Sequence, residues 1–145
     1  MKKPLRRQRT LNRPYYIVNL SLAGILMMVF IYSGFFSAEK DNHPVPSFYE
    51  KITGDPAPSS GLSRAFSEIV RGNLDEARKY NGDSLLIFSF FLIQFIQRIF
   101  VTILLYKQIL RIQYLFTADL AISFLLFLFC FKGQLLAMGK LIFAS

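Results

Sequence analysis

Cysteine and histidine are nearly absent from this 145-residue sequence, which contains one of each, Cys130 and His43. A single cysteine forms no intramolecular disulfide and supplies no thiolate cluster for a metal, so redox chemistry through paired thiols is excluded. The single histidine lies beside a proline in a connector, without a second type of metal ligand clustered nearby in the sequence. The sequence therefore predicts no metal site and no cofactor.

The motifs of common enzymes are also missing. There is no Gly-x-Ser-x-Gly elbow, which is the turn that exposes a nucleophilic serine in many hydrolases. An enzyme of lipid or peptide chemistry would have to combine His43 with Ser59, Ser60 or Ser63, and their spacing matches no established dyad. We therefore expect no catalytic residue and no enzymatic activity.

Acidic residues are scarce, with nine against seventeen basic ones, and the net charge is +8. In a soluble protein this excess would suggest nucleic-acid binding, but no nucleic-acid-binding motif accompanies it. Six of the basic residues precede the first apolar run, and 53% of all residues are hydrophobic and gathered in long blocks. This pattern is typical of a membrane protein whose basic residues orient it in the bilayer.

Three apolar runs are long enough to cross a membrane, since about 20 helical residues span a hydrocarbon core of about 30 Å. The fold class predicted from them is an all-α integral membrane protein with three transmembrane helices. The predicted segments are a basic tail (1–14), transmembrane helix 1 (15–36), a polar loop (37–83), transmembrane helix 2 (84–106), a connection (107–117), transmembrane helix 3 (118–138) and a tail (139–145).

The polar loop contains helical patterns of its own. Apolar residues recur at spacings of three and four from Leu62 to Val70, and the stripe continues from Leu74 to Tyr80. Gly72 ends the first pattern, and Asn73 can cap the second. We therefore predict two short amphipathic helices that lie along the outer surface and bury one face.

Basic residues also indicate the orientation of the chain. They are concentrated in the N-terminal tail and in the connection after the second run, which contains Lys107 and Arg111. Short loops rich in lysine and arginine remain in the cytoplasm. The sequence thus predicts a multi-pass membrane protein with a cytoplasmic N-terminus and a periplasmic or extracellular 37–83 loop.

One stretch of this loop, ITGDPAPSSGLSRAF at 52–66, resembles a family of small bacterial membrane proteins of unknown function. The hallmark of that family is Cys-Pro-x-Cys-Gly-Leu/Met-Thr/Ser-Arg between transmembrane helices, and the resemblance covers about residues 43 to 100. The matching residues are Thr53, Gly54, Pro58, Gly61, Leu62, Ser63, Arg64, Ala65 and Phe66, followed by Gly72, Leu74, Ala77 and Asn81.

The two cysteines of the family pattern are missing, because Ala57 and Ser60 stand in their places. Serine and alanine preserve size and abolish thiolate chemistry. Two origins fit the loss, a natural paralogue and an engineered change. The resemblance therefore implies that the motif persists as architecture, with its scaffold formed by Gly54, Pro58, Gly61, Ser63 and Arg64.

Arg98 is the most informative polar residue of the apolar runs, and Gln94 and Gln97 share its helix face. A charge inside the bilayer is costly and faces a partner, a cavity or, by snorkelling, the headgroups. The sequence favours snorkelling for Arg98 by a small margin and for Lys132 more clearly. The alternative is a contact with a partner helix, so the predicted partner or structural contacts are Arg64, Gln94, Gln97 and Arg98.

These patterns favour a non-catalytic structural or accessory subunit of a larger inner-membrane complex. The expected partners are other integral membrane proteins and membrane lipids, and no nucleic acid. The alternative is a component of an oligomeric transporter or channel that uses the polar face around Arg98.

Overall fold

Three helices in the computed structural model of the chain are long and apolar enough to cross a membrane. The described residues are 5–35, 60–107 and 111–143. The apolar stretches are Arg13–Phe35, Ser84–Lys107 and Ile112–Cys130, with 23, 24 and 19 residues. At 1.5 Å per residue they are about 28 to 36 Å long, which matches the hydrocarbon core. The predicted fold class is confirmed: the chain is an all-helical, multi-pass membrane protein.

Six helices follow one another along the described residues. They are α1 (Leu5–Phe35), α2 (Leu62–Val70), α3 (Leu74–Tyr80), α4 (Ser84–Lys107), α5 (Ile112–Cys130) and α6 (Lys132–Phe143). The two short helices between the first and second spans are those predicted from the apolar stripe.

The first helix begins earlier than predicted. Helix α1 starts at Leu5, within the segment expected to be a basic tail, and Pro14 lies inside the helix and not at its start. Arginine, glutamine and leucine dominate the residues before Pro14, and all three have high helix propensity. Hydropathy identified the apolar part of this helix but not its polar extension.

The third span also begins earlier than predicted, at Ile112 and not at residue 118, and it ends at Cys130. Thr117 donates to the carbonyl of Gln113 at 2.9 Å, so its hydroxyl is satisfied within the helix. A separate helix, α6, starts at Lys132. The shift moves Asp119 from the predicted first turn of the span into its interior.

Helix α4 is the centre of the bundle and packs against both α1 and α5. Helices α4 and α5 form an antiparallel hairpin whose facing pairs are symmetric about a position near residue 108. The pairs Arg98–Asp119 and Phe90–Phe127 show this symmetry. We call the end of the bundle with Arg13, Lys107 and Arg111 the basic end.

Helices α2 and α3 form a platform at the opposite end. Helix α2 lies against α1 and α4. The Cγ1 atom of Val70 is 3.8 Å from the position that a Cβ on Gly34 of α1 would occupy. Ala65 and Ala77 are completely buried, because small side chains let α2 and α3 approach closely. The transmembrane helices of the same chain therefore cover part of the face predicted to be buried, whereas Val70 and Leu74 of that face stay exposed.

Aromatic rings hold the platform to the spans. Phe66 of α2 makes edge-to-face contacts with Phe88 and Phe91 of α4, at centroid distances of 5.2 and 5.6 Å. Phe30 of α1 contacts Phe88 at 5.4 Å in the same geometry. Such pairs add about 0.5–1.5 kcal/mol each beyond the burial of their area.

Candidate functional site

The candidate site is a polar network inside the bundle, centred on an ion pair between Arg98 of α4 and Asp119 of α5. The guanidinium Nη1 donates to Asp119 Oδ2 and Nη2 donates to Asp119 Oδ1, both at 2.7 Å. Both residues are buried, with exposed fractions of 6% and 7%. This is the two-pronged arrangement in which the planar arginine head matches a carboxylate.

Helix α1 contributes two further partners to the pair. Asn19, with an exposed fraction of 0%, accepts a hydrogen bond from Arg98 Nη1 at 2.8 Å. The Tyr15 hydroxyl donates to Asp119 Oδ2 at 2.5 Å. Asn19 in turn donates to the backbone carbonyl of Tyr15 at 2.9 Å. The ion pair therefore connects all three spans.

Neighbouring polar side chains on α4 and α5 add further hydrogen bonds to the pair. Gln97 donates to Asp119 Oδ1 at 2.5 Å, and Arg98 Nη2 donates to Ser123 at 2.9 Å and to Gln94 at 3.2 Å. Gln94 also donates to Gln97 at 3.3 Å and accepts from Ser123 at 3.3 Å. We call the full set the polar network: Tyr15, Asn19, Gln94, Gln97, Arg98, Asp119 and Ser123.

The network lies inside the apolar part of the spans. Arg98 is nine residues from Lys107, Asp119 seven from Ile112, and Asn19 six from Arg13. These separations correspond to about 14, 10 and 9 Å from the basic end of the bundle. All three groups are therefore at a similar depth within the membrane, and this common depth lets them meet.

Apolar groups close the network on both sides. Toward the basic end, Val101, Leu105 and Leu115 form a buried cluster. Toward the platform, Phe95 packs against Phe30 at 5.8 Å, edge to face. The polar atoms are thus held in a low-dielectric environment, where electrostatic interactions between them are strong and an unpaired group is costly.

The energetic consequence is that the two charges depend on each other. A lone arginine or aspartate at the centre of a span costs about 2.5–3.5 kcal/mol on membrane-insertion scales. Removing one partner of a buried pair costs about 3–5 kcal/mol in proteins, because the other charge is left uncompensated. Within the three described spans, Arg98 and Asp119 are the charged residues away from the helix ends.

The prediction that Arg98 snorkels is wrong. Its head group turns inward to Asp119 and Asn19 and not along α4 to the basic end. Snorkelling is favoured where no partner is in reach, and here a carboxylate lies at the same depth on the next helix. The helices that cover the face of Gln94, Gln97 and Arg98 belong to the same chain.

Other predicted residues lie elsewhere. Lys132 is exposed at the start of α6, with its ammonium nitrogen 5.6 Å from the centroid of the Phe129 ring. The guanidinium of Arg64 lies over the ring of Tyr80 at 5.1 Å, a cation–π contact within the platform. Arg64 and the polar network are thus two separate places in the molecule.

The scaffold motif is described only in part, since Gly54 and Pro58 lie outside the described residues, as do His43 and Ser59. Gly61 has φ 78°, and a Cβ added there would collide with the carbonyl of Tyr80. Ser63 is exposed on α2. The motif residue Asn81 donates to the carbonyl of Ser60 at 3.0 Å, so the start of α2 is fastened to the end of α3.

The described loop residues contact other groups than the sequence suggested. Glu68 accepts from Asn73 at 2.7 Å, whereas Asn73 makes no side-chain cap on α3. Lys79 donates to Glu76 at 2.5 Å, and this hydrogen bond raises the pKa of Lys79. The Lys79–Glu76 pair is exposed, so it contributes little to stability.

Sequence reasoning missed four members of the network: Tyr15, Asn19, Asp119 and Ser123. The predicted start of the third span at residue 118 puts Asp119 in a first turn, where a carboxylate favours a helix. A usable signal was present. Asp119 is the one acidic residue within the three predicted spans, so it was the one carboxylate available there to pair with Arg98.

No family model matches the chain, and no curated protein or solved structure matches it either. The fold and the network define a class: a small multi-pass membrane protein with a self-paired charge inside its bundle. Its function is therefore argued from its own residues.

Proposed function

We propose that the protein is a non-catalytic structural or accessory subunit of a larger bacterial inner-membrane complex. In this proposal the N-terminal tail is cytoplasmic, and the platform is periplasmic or extracellular. The proposal rests on one observation above all: the polar groups inside the spans bond to one another. Arg98 and Asp119 form hydrogen bonds that join all three spans, so the bundle pairs its interior charges within one chain.

The surface of the bundle supports this role. Large apolar side chains of α1 and α5 point outward, among them Met28, Leu120 and Phe124, with exposed fractions of 70%, 60% and 59%. Such side chains suit lipid tails and the apolar helices of other membrane proteins. The expected partners are accordingly other integral membrane proteins and membrane lipids.

The platform supports the interpretation of the motif as architecture. Gly61, Arg64 and Asn81 all contact the residues around Tyr80 and Ser60, so these three motif residues belong to one packed unit. Membership of that family, with its thiols lost, is part of the proposal. A shaped platform without reactive groups is what an accessory subunit would present to a partner.

The direct test is purification of the tagged full-length chain in a mild detergent, followed by measurement of the particle mass. We expect a complex larger than one chain, with a companion membrane protein in a fixed ratio. An unrelated three-span protein purified at the same level serves as the control for chance capture. A single chain with no companion protein would contradict the proposal.

A second candidate function is a component of an oligomeric transporter or channel. The observation that favours it is the Arg98–Asp119 pair itself, because ionisable groups within a membrane commonly mark ion or proton pathways. Three spans enclose little space, so a pathway would have to form between several copies. The apolar closure on both sides of the network weighs against a pathway within one chain.

Flux measurements in proteoliposomes separate the two candidates. The informative variant is Arg98→Met combined with Asp119→Leu, which removes both charges together and leaves neither unpaired. A transporter predicts ion or proton flux in the wild type that the double variant abolishes while remaining folded. The subunit proposal predicts no flux above protein-free vesicles in either protein.

A further inference from the structure

The two interior charges lie on neighbouring helices of the chain. Arg98 is on α4 and Asp119 on α5, and these helices are joined by the four residues 108–111. Helix α1 contributes only the neutral side chains of Tyr15 and Asn19. The charges thus belong entirely to the α4–α5 hairpin.

The hairpin satisfies its own charges without α1. Asp119 receives both prongs of Arg98 and a hydrogen bond from Gln97, all from α4. Arg98 also donates to Gln94 of its own helix and to Ser123 of α5. Helix α1 adds one further acceptor and one further donor to a pair that is already neutral.

Chain connectivity also favours pairing of α4 with α5 before either packs against α1. Only a short connection must close to bring Arg98 to Asp119, whereas the 48 residues 36–83 separate the end of α1 from the start of α4. The entropic cost of closing a loop rises with its length. In a membrane, helices that are stable individually associate in a second step, and an unpaired charge makes a helix less stable individually.

We infer that the protein has a built-in order of assembly: α4 and α5 pair first as a charge-neutral hairpin, and α1 docks onto it afterwards through Asn19 and Tyr15. Asp119 is therefore required for both contacts, whereas Asn19 is required only for the second. This inference holds whether or not the protein is a subunit of a complex.

Chemical crosslinking of the full-length chain in membranes tests this order. In a Cys130→Ala background, one cysteine pair replaces Phe90 and Phe127 and reports on α4–α5, since these rings are 6.2 Å apart. A second pair replaces Phe30 and Phe88 and reports on α1–α4, since these rings are 5.4 Å apart. A short bifunctional maleimide is the probe for both pairs.

Each reporter pair is combined with the same four changes. They are Asp119→Leu, Arg98→Met with Asp119→Leu, Asn19→Leu, and, as a matched control, the exposed Ser21→Leu on α1. We expect Asp119→Leu to lower both crosslinks at least fivefold and the double variant to restore the α4–α5 crosslink. Asn19→Leu should lower only the α1–α4 crosslink, and Ser21→Leu neither.

Three results would overturn the inference. They are an α4–α5 crosslink that survives Asp119→Leu, loss of both crosslinks in Asn19→Leu, and an α4–α5 crosslink that joins two chains and not one. If Asp119→Leu fails to accumulate, pulse-labelled membrane protein is compared instead. Recovery of accumulation in the double variant supports the inference, and a level as low as that of the single variant overturns it.

Discussion

Arg98 makes contacts that no other side chain can reproduce. Its planar head directs two parallel bonds to Asp119 and leaves further N–H groups for Asn19 on one side and Ser123 on the other. Lysine would keep the charge, but it has a compact ammonium group that cannot contact both carboxylate oxygens in this fork geometry. The identity of the residue therefore matters as well as its charge.

Arg98→Lys should destabilise the bundle even though the net charge is unchanged. We expect a loss of about 1–3 kcal/mol, comparable to hydrogen bonds with charged groups that are no longer made. The measurement is the thermal midpoint in detergent, followed by size-exclusion chromatography of the remaining folded protein. Lys132→Arg, at an exposed position, is the matched control and should leave the midpoint unchanged. Equal midpoints for Arg98→Lys and the wild type would show that the fork geometry is unimportant.

Three glycines of the platform region differ in backbone conformation and in the space around their Cα atoms. Gly61 combines a positive φ of 78° with close approach to the carbonyl of Tyr80. Gly72 has a positive φ of 87° but open space around a Cβ position, and Gly82 has open space and no positive φ. Comparison of substitutions at these three positions therefore distinguishes the cost of backbone strain from the cost of a steric collision.

Substitution of each glycine by alanine should give a graded loss of stability. Gly82→Ala should have no measurable effect, and Gly72→Ala should cost about 1 kcal/mol for the left-handed conformation. Gly61→Ala should cost more than Gly72→Ala, because the backbone of Tyr80 must also move. Thermal midpoints of the three variants in one detergent give the order. Equal effects at Gly61 and Gly72 would mean that the close approach to Tyr80 contributes nothing.

At the scale of elements, the platform is held by one large side chain and several small ones. Phe66 inserts between rings of α4, while Ala65, Ala77 and Ser84 are completely buried at the crossings of α2, α3 and α4. Ser84 also donates to the carbonyl of Ala77 at 3.3 Å, which joins α3 to the start of α4. The small residues allow close approach, and the aromatic ring fills the remaining space.

Phe66→Ala should release the platform while leaving the three spans folded. Loss of a buried phenylalanine costs about 3–5 kcal/mol, which is more than two short helices can compensate locally. The expected result is rapid tryptic cleavage at Arg71 and Arg78 in the variant and slow cleavage in the wild type. Val70→Ala, which removes methyl groups from a side chain that is 42% exposed, is the matched control. Unchanged cleavage of Phe66→Ala would place the anchor of the platform elsewhere.

At the scale of the whole molecule, α4 carries two different kinds of contact at its two ends. Near the basic end it holds the polar network, and near the platform it holds aromatic rings that reach α1, α2 and α5. The polar contacts are directional and set which residues face each other. The aromatic contacts are less specific and add packing area. This division makes α4 the helix on which the rest of the structure depends.

The proposed orientation predicts which positions a membrane-impermeant maleimide can reach. In a Cys130→Ala background, Ser63→Cys on the platform should be labelled in cells whose outer membrane is permeabilised and whose inner membrane is intact. Gln113→Cys, near the basic end, should be labelled only after lysis, because loops rich in basic residues remain in the cytoplasm. Both side chains are exposed, so neither is covered by the rest of the chain. Labelling of both positions from the same side, or of Gln113→Cys alone, would refute the orientation.

The sequence by itself determined the local features of this protein. The three spans and the two platform helices follow from hydropathy and from spacings of three and four, because both depend on residues close together in the chain. The turn at Gly72 was predictable for the same reason. The boundaries of the third span were not, since hydropathy does not distinguish where in an apolar region the helix breaks.

Only the tertiary structure decided what the polar residues of the spans contact. The periodicity of α4 placed Gln94, Gln97 and Arg98 on one face, but it did not identify the helix that covers that face. The pairing with Asp119 depends on where the hairpin turns, and the contact with Asn19 depends on how α1 packs against α4. These distances arise between residues far apart in the chain. They exist only after the helices pack, which is why a charge that the sequence predicted to snorkel is buried and paired in the structure.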